Sequence, residues 1–211
     1  MSNPPGVSNP VFSYESGEPL CTGEYLTPQI VEICRHLGAK RILDLGCGNG
    51  AMCGALRAAG FSVTGCDPSE EGIHHARQAV PGGEFHVAGV YDNPAALGPL
   101  DFDVVVSTEV IEHLLLPRSL PRFAFQALRP GGHLVLSTPY HGYLKNLLLS
   151  LFNKWDFHFT AGWDGGHIKF WSRATLTSLL TKEGYTVTGF KGVGRVPLLW
   201  KSMILVAQKP L

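Results

Sequence analysis

Apolar and polar positions along this chain alternate between short continuous apolar runs and segments with helical spacing. Arg41 to Leu45, Ser62 to Asp67, Phe102 to Ser107 and His133 to Thr138 are runs of strand length, and Glu84 to Val87 is a weaker one. Between them lie predicted helices. The first starts at Thr27, a cap followed by Pro28 at the first helical position, and ends at Leu37 with Gly38 beyond it. Gly50 to Ala59 is alanine-rich and closed by Gly60. Ser69 caps a helix towards Ala79, with Glu70 and Glu71 favourable in its first turn. Pro121 to Leu128 is helical and stops at Pro130-Gly131-Gly132, and Ser172 caps a helix to Lys182 with Gly184 after it. Tyr185 to Phe190 and Met203 to Gln208 are the last two strands, joined by the turn-rich Gly192 to Pro197.

Strands alternating with helices predict parallel βαβ units and a doubly wound α/β sheet. Continuous apolar strands fit a sheet covered on both faces. The final pair has no helix between its strands, which predicts one antiparallel edge strand. Gly142 to Gly166 breaks the rhythm, being too long for a mere connection. It holds Tyr143, Leu144, Leu147, Leu148, Leu149, Leu151, Phe152 and Trp155, and reads as a helical lid, inserted after the fifth strand over the active-site end of the sheet.

Composition narrows this picture. The chain has 211 residues, 45% of them hydrophobic, enough for one sizeable core. Charged residues are 16%, against about a quarter in a typical domain, and the net charge is zero, which counts against a nucleic-acid partner. Cys21, Cys34, Cys47, Cys53 and Cys66 form no CxxC pair and are odd in number, which fits a reduced, cytoplasmic setting. Residues 1–24, with a Pro-, Ser-, Asn- and Gly-rich start and no leader pattern, read as a flexible arm before a domain over 25–211. No apolar run reaches the roughly 20 residues of a membrane span.

The first chemical feature is Ile42-Leu43-Asp44-Leu45-Gly46-Cys47-Gly48-Asn49-Gly50. Its glycines fall where the first strand gives way to a helix, the place where open α/β sheets bind ligands. A GxG pattern alone is weak, and a glycine-rich turn or a dinucleotide site are the alternatives. The spacing here is GxGxG, not GxGxxG. Asp44 precedes it and can meet a cationic amino acid end of a ligand. Asp67 ends the second strand, where its carboxylate can accept from two ribose hydroxyls.

Together with Ser107-Thr108-Glu109 and the turn Leu128-Arg129-Pro130-Gly131-Gly132, these segments resemble the motifs of class I S-adenosylmethionine (SAM) dependent methyltransferases over roughly residues 25–210. That resemblance implies a Rossmann-like seven-stranded sheet with a reversed last strand, and SAM as cofactor. It implies that Gly46, Gly48 and Gly50, with Cys47 and Asn49 between them, line the methionine and ribose portions. Asp67, next to Pro68, takes the ribose, and Thr108 and Glu109 border the cofactor. Where such proteins often carry an acid for the adenine amino group, this chain has Gly89-Val90-Tyr91-Asp92, with Val90 in the acid's place and Tyr91 beside it.

The second feature is Glu109-Val110-Ile111-Glu112-His113. On a helical turn, positions 109, 112 and 113 share one face. Two carboxylates and an imidazole can hold a divalent metal, Mg²⁺ or Mn²⁺, or act directly in acid–base and positioning roles. The segment is similar to one in ubiquinone-biosynthesis O-methyltransferases and in small-RNA 3′-terminal 2′-O-methyltransferases. Both resemblances make His167, in Gly166-His167-Ile168-Lys169-Phe170, a further ligand candidate. The leucine-rich lid favours a small hydrophobic or aromatic acceptor, or peripheral contact with a membrane surface, over an RNA end, since only Lys145 and Lys154 interrupt it. The function expected is O-methylation of a phenol- or catechol-like acceptor, with His113 or His141 as general base or a metal on Glu109, Glu112, His113 and His167. An RNA 2′-O-methyltransferase, an N- or C-methyltransferase and a SAM-binding module without catalysis are the competing readings.

Overall fold

The computed structural model describes residues 7–12, 22–159, 162 and 166–211. Seven strands form a single sheet, β1 (Arg41–Leu45), β2 (Ser62–Asp67), β3 (Glu84–Val87), β4 (Phe102–Thr108), β5 (Leu128–Pro139), β6 (Thr186–Val193) and β7 (Ser202–Gln208). Their order is β3-β2-β1-β4-β5-β7-β6. β1 to β5 are parallel, and β7 runs antiparallel to both β5 and β6. The seven-stranded doubly wound sheet expected from the motifs is therefore present. The reversed strand, however, lies inside the sheet and β6 takes the edge. The sequences explain the difference: Ser202–Ile204–Leu205 and their neighbours in β7 are buried almost without interruption, whereas β6 alternates between exposed and half-buried positions.

The helices are α1 (Gly23–His36), α2 (Ala51–Ala58), α3 (Glu70–Ala79), α4 (Ser119–Ala127), α5 (Tyr143–Leu151), α6 (Trp155–Phe159) and α7 (Arg173–Lys182). α1 begins upstream of the predicted Thr27 start and carries Pro28 within it. Leu26, Ile30 and Cys34, one turn apart and buried, pack this helix over β1 and carry it through the proline. β5 also starts earlier than predicted. Leu128 pairs with Phe102, the register then shifts, and pairing resumes at Val104↔His133. The Pro130-Gly131-Gly132 turn is thus absorbed as an irregularity, with Gly131 at φ 73°.

α7 opens with a capping box. Ser172 Oγ accepts from the Thr175 amide at 3.2 Å, and Thr175 Oγ1 accepts from the Ser172 amide at 3.0 Å. Ser172→Ala is expected to lower stability by about 1 kcal/mol, read as a shift of the urea midpoint with an unchanged slope.

The lid forms α5 and α6, while residues 160, 161 and 163–165 of the predicted insertion lie outside the described residues. Its polarity is inverted. Tyr143 and Leu151 are 84% and 71% exposed, whereas Lys145 is 6% exposed. Among the described residues no helix is long and apolar enough to cross a membrane.

The chain winds to one side from β1 through β2 to β3 and to the other from β4 onward. The carboxyl ends of β1 and β4, neighbours through Ile42↔Val104 and Asp44↔Val106, flank the resulting crevice.

Candidate cofactor and catalytic site

The loop after β1 is held by its own amides. Gly46 and Cys47 N–H both donate to the Cys66 carbonyl, at 2.8 and 3.0 Å, and Gly50 N–H donates to Cys47 at 2.9 Å. Gly46, Gly48 and Gly50 have φ of 86°, 52° and 81°, the left-handed region that suits glycine. Their reasons differ. A Cβ on Gly46 would stand 2.5 Å from Val110 Cγ2, where the loop meets the segment after β4. A Cβ on Gly50 would stand 2.7 Å from Ala76 Cβ, a contact between α2 and α3.

A cavity of about 490 Å³ opens beside this loop, within the size range of small-molecule sites. Gly46, Cys47, Gly48 and Asn49 line it, with Asp67, Pro68, Val90, Thr108 and Glu109. Asp67 accepts from Gly48 N–H at 3.0 Å and from Ser69 N–H at 2.9 Å. Burial pushes its pKa up, and those two amides oppose the shift.

Three expected cofactor residues do not line the cavity: Asp44, Gly50 and Tyr91. The Tyr91 hydroxyl accepts from Leu116 N–H at 3.0 Å, so it braces the loop after β4. Asp44 alternates to the face of β1 covered by α2, is fully buried and accepts from Cys53 Sγ at 3.1 Å. Burial pushes its carboxyl up to about 7, Cys53 opposing and Asp67 adding to the shift. The folded state thus holds a proton on Asp44 that the unfolded chain releases near pH 4, and this contribution to stability falls as pH rises from about 4 to 7. Asp44→Asn, with no such proton to lose, should gain about 2–3 kcal/mol relative to wild type between pH 5 and pH 8, read by urea unfolding. A constant difference across that range contradicts the assignment.

Other walls were not foreseen from the sequence. Thr22, Gly23 and Thr27 of the early-starting α1 region contribute, as do Met52 and, from the predicted arm, Asn9 and Phe12. Asn9 donates to Asp92 and accepts from Tyr91 N–H, each at 2.9 Å, and the Phe12 ring packs 4.8 Å from His113. Residues 7–12 therefore lie against the cavity. A Pro- and Asn-rich stretch carries no periodicity that would show this.

After β4 the chain turns sharply at Glu109, φ 54°, before a 3-10 turn over Ile111–His113. This separates the two carboxylates, which a continuous helical turn would have placed on one face. Glu109 accepts from Ser137 Oγ at 2.8 Å and Ser202 Oγ at 3.1 Å. Glu112, 1% exposed, accepts from Thr138 Oγ1 at 3.0 Å through Oε2, while its Oε1 is buried with no hydrogen-bond partner. Burial pushes both carboxyls above their usual range, and Glu109 adds to the shift on Glu112.

His167 reaches this place because Ile168 and Lys169 N–H both donate to the Glu112 carbonyl at 3.0 Å. One ligand atom each of Glu112, His113 and His167 lies within 4.8 Å of the others. Glu109 is not in that group. The Gly166 carbonyl, 3.3 Å from His113 Nδ1, places the proton there and directs Nε2 towards Glu112 Oε1, 3.9 Å away. Burial, then His113, lowers the pKa of His167 to about 4, which keeps it neutral. His141 stands apart from the group, bonded to Asn146 at 3.2 Å and packed on Phe170. Its pKa is also lowered to about 4, chiefly by burial.

Residues 25–189 match the family described as methyltransferase domain. Two curated relatives, both named ubiquinone biosynthesis O-methyltransferase, are similar in part. The protein of Proteus mirabilis (strain HI4320) is 34% identical over 114 residues, 52% of this chain and 46% of its own length. That of Aromatoleum aromaticum is 37% identical over 106 residues, 48% of this chain and 45% of its own length. The chain thus spans a little under half the length of the curated relatives it matches. Among solved structures, magnesium protoporphyrin IX methyltransferase from Synechocystis PCC 6803, with S-adenosylhomocysteine bound, shares the fold at TM-score 0.66 and 19% identity, over 87% of this chain and 82% of that one. The 1,6-didemethyltoxoflavin-N1-methyltransferase of Burkholderia thailandensis does so at TM-score 0.65 and 18% identity, over 88% and 78%.

Proposed function

Because this chain belongs to the methyltransferase domain family, we propose that it transfers the methyl group of SAM to an oxygen of a small hydrophobic or aromatic acceptor of the phenol or catechol kind. The observation that carries this reading is the Glu112–His113–His167 group at the border of the cofactor cavity, joined to it through Phe12 and the segment after β4. Solved relatives that hold S-adenosylhomocysteine support the cofactor, and the relatives named O-methyltransferases support oxygen as the accepting atom.

A phenolic hydroxyl has a pKa near 10 and must lose its proton for fast attack. His113 Nε2, with Nδ1 held by the Gly166 carbonyl, accepts that proton. The freed oxygen pair forms a bond to the methyl carbon, the carbon–sulfur bond breaks, and its electrons neutralise the sulfonium as S-adenosylhomocysteine leaves. The proton on His113 passes to solvent. Glu112, anchored by Thr138, keeps its unpaired Oε1 3.9 Å from His113 Nε2, where an ionised carboxyl stabilises the imidazolium that forms.

The same donor set fits a divalent cation such as Mg²⁺ or Mn²⁺, since a buried carboxylate oxygen lacks a partner and two imidazoles stand beside it. Such an ion, held by Glu112, His113 and His167, supplies Lewis-acid lowering of the hydroxyl pKa.

Methyl-tritiated SAM offered with a panel of phenols and catechols tests the reading. A labelled methyl ether is expected, and label found only on nitrogen or carbon contradicts it. Loss of turnover with EDTA and its return with Mg²⁺ or Mn²⁺ assigns the metal role, while unchanged turnover assigns the proton to His113 alone.

A further inference from the structure

A second cavity, about 430 Å³, lies between the lid and the turn that joins β6 to β7. Apolar side chains such as Leu148 and Leu199 form its body, and Lys145, Lys154, His158 and Arg195 bring basic groups to it. Among the described residues no carboxylate lines it. Several cations elsewhere have acidic partners: Arg118 and Arg122 share Glu183, Arg129 meets Asp103, and Lys191 meets Glu32, while Lys209 donates to two carbonyls, of Phe125 and Leu128, at 2.7 and 2.6 Å.

Lys145 is the unusual member. It is buried on the inner face of a helix whose Tyr143, Leu144, Leu147 and Leu151 are exposed. Its ammonium has three donors, and the hydrogen bond it makes is a long one, 3.4 Å, to the Lys201 carbonyl. Burial lowers its pKa to about 8, Arg195 adds to this, and Glu109 opposes it. Anchoring α5 to the start of β7 uses one donor and leaves the exposed Arg195 and Lys154 at the same cavity unexplained. A buried ammonium is normally compensated by an anion.

We propose that this cavity is an acceptor subsite for an anion on a hydrocarbon body, a carboxylate or phosphate held by Lys145 and Arg195 with the hydrocarbon along Leu148 and Leu199. The subsite lies beside the elements that border the cofactor cavity. Lys145 acts electrostatically on Glu109, which lines the cofactor cavity, and the His158 ring lies 5.9 Å from that of His141. This inference rests on the methyl-transfer reading above and names the class of acceptor: an acidic amphiphile.

Calorimetric titration of the whole chain with dodecanoate, dodecyl phosphate, dodecanol and acetate, all as monomers, tests it. Both long anions should bind at least about tenfold tighter than dodecanol or acetate, since a charge-assisted hydrogen bond is worth about that factor. Arg195→Met and Lys145→Met should each weaken the anions about tenfold and leave dodecanol unchanged. Normal SAM binding by each variant confirms that it is folded, and Arg195, being exposed, carries the test if the buried site does not tolerate methionine. Equal binding of dodecanol and dodecanoate, or no effect of Arg195→Met, overturns the proposal. Binding confined to phosphatidylglycerol vesicles, with none to the monomers, assigns the charges to a lipid headgroup and overturns an acceptor subsite. Because binding is read without methyl transfer, these failures leave the methyltransferase reading intact, and its own failure appears as absent SAM binding.

Discussion

Gly46→Ala is expected to weaken SAM binding by about a hundredfold. At φ 86° an alanine costs about 1–2 kcal/mol, and its Cβ would meet Val110 Cγ2 at 2.5 Å, an overlap worth about 1–3 kcal/mol more. Both loop and partner line the cavity proposed for the cofactor, so relief of the overlap reshapes the wall itself. Calorimetry reads the loss. Adding Val110→Ala should restore part of the affinity by removing the steric component, while the backbone strain stays. Gly50→Ala provides the contrast. Its Cβ would strike Ala76 between two helices, so its main effect should be a lower melting temperature. Wild-type SAM affinity in Gly46→Ala contradicts the placement of the cofactor.

The second large effect concerns chemistry. Glu112→Gln and His113→Ala are each expected to lower kcat by about 10²–10⁴, the usual range for lost proton transfer. SAM affinity should stay near that of wild type, because neither side chain lines the cavity proposed for the cofactor. Glu112→Gln keeps an oxygen for Thr138 and removes only the ability to ionise, so it separates electrostatics from packing. Turnover near wild type in both variants contradicts the site; joint loss of turnover and SAM binding makes the segment part of the cofactor wall.

Much of this was legible because the relevant signals are local. The β1 and β2 runs, the Gly46–Gly50 turn and Asp67 at a strand end are written in consecutive residues, and the Ser69 and Ser172 caps need only their own first turns. Long-range packing hid the rest. Pro28 reads as a helix start until Leu26, Ile30 and Cys34 are seen to pack as one face. Asp44 reads as a ligand residue because its strand end is at the site, yet β-strand alternation turns its carboxylate under α2. Glu109 and Glu112 read as one face only if the backbone continues as a helix, and the left-handed φ at Glu109 sends its carboxylate to Ser137 and Ser202. Nothing in the lid's leucine-rich sequence shows that Lys145 is buried while Tyr143, Leu147 and Leu151 are exposed.

A crystal structure of the chain with S-adenosylhomocysteine should show the ligand in the cavity beside Gly46–Asn49, its ribose hydroxyls on the Asp67 carboxylate, and its sulfur directed towards Glu112, His113 and His167. A ligand bound elsewhere, or one whose sulfur faces away from those three side chains, contradicts this placement.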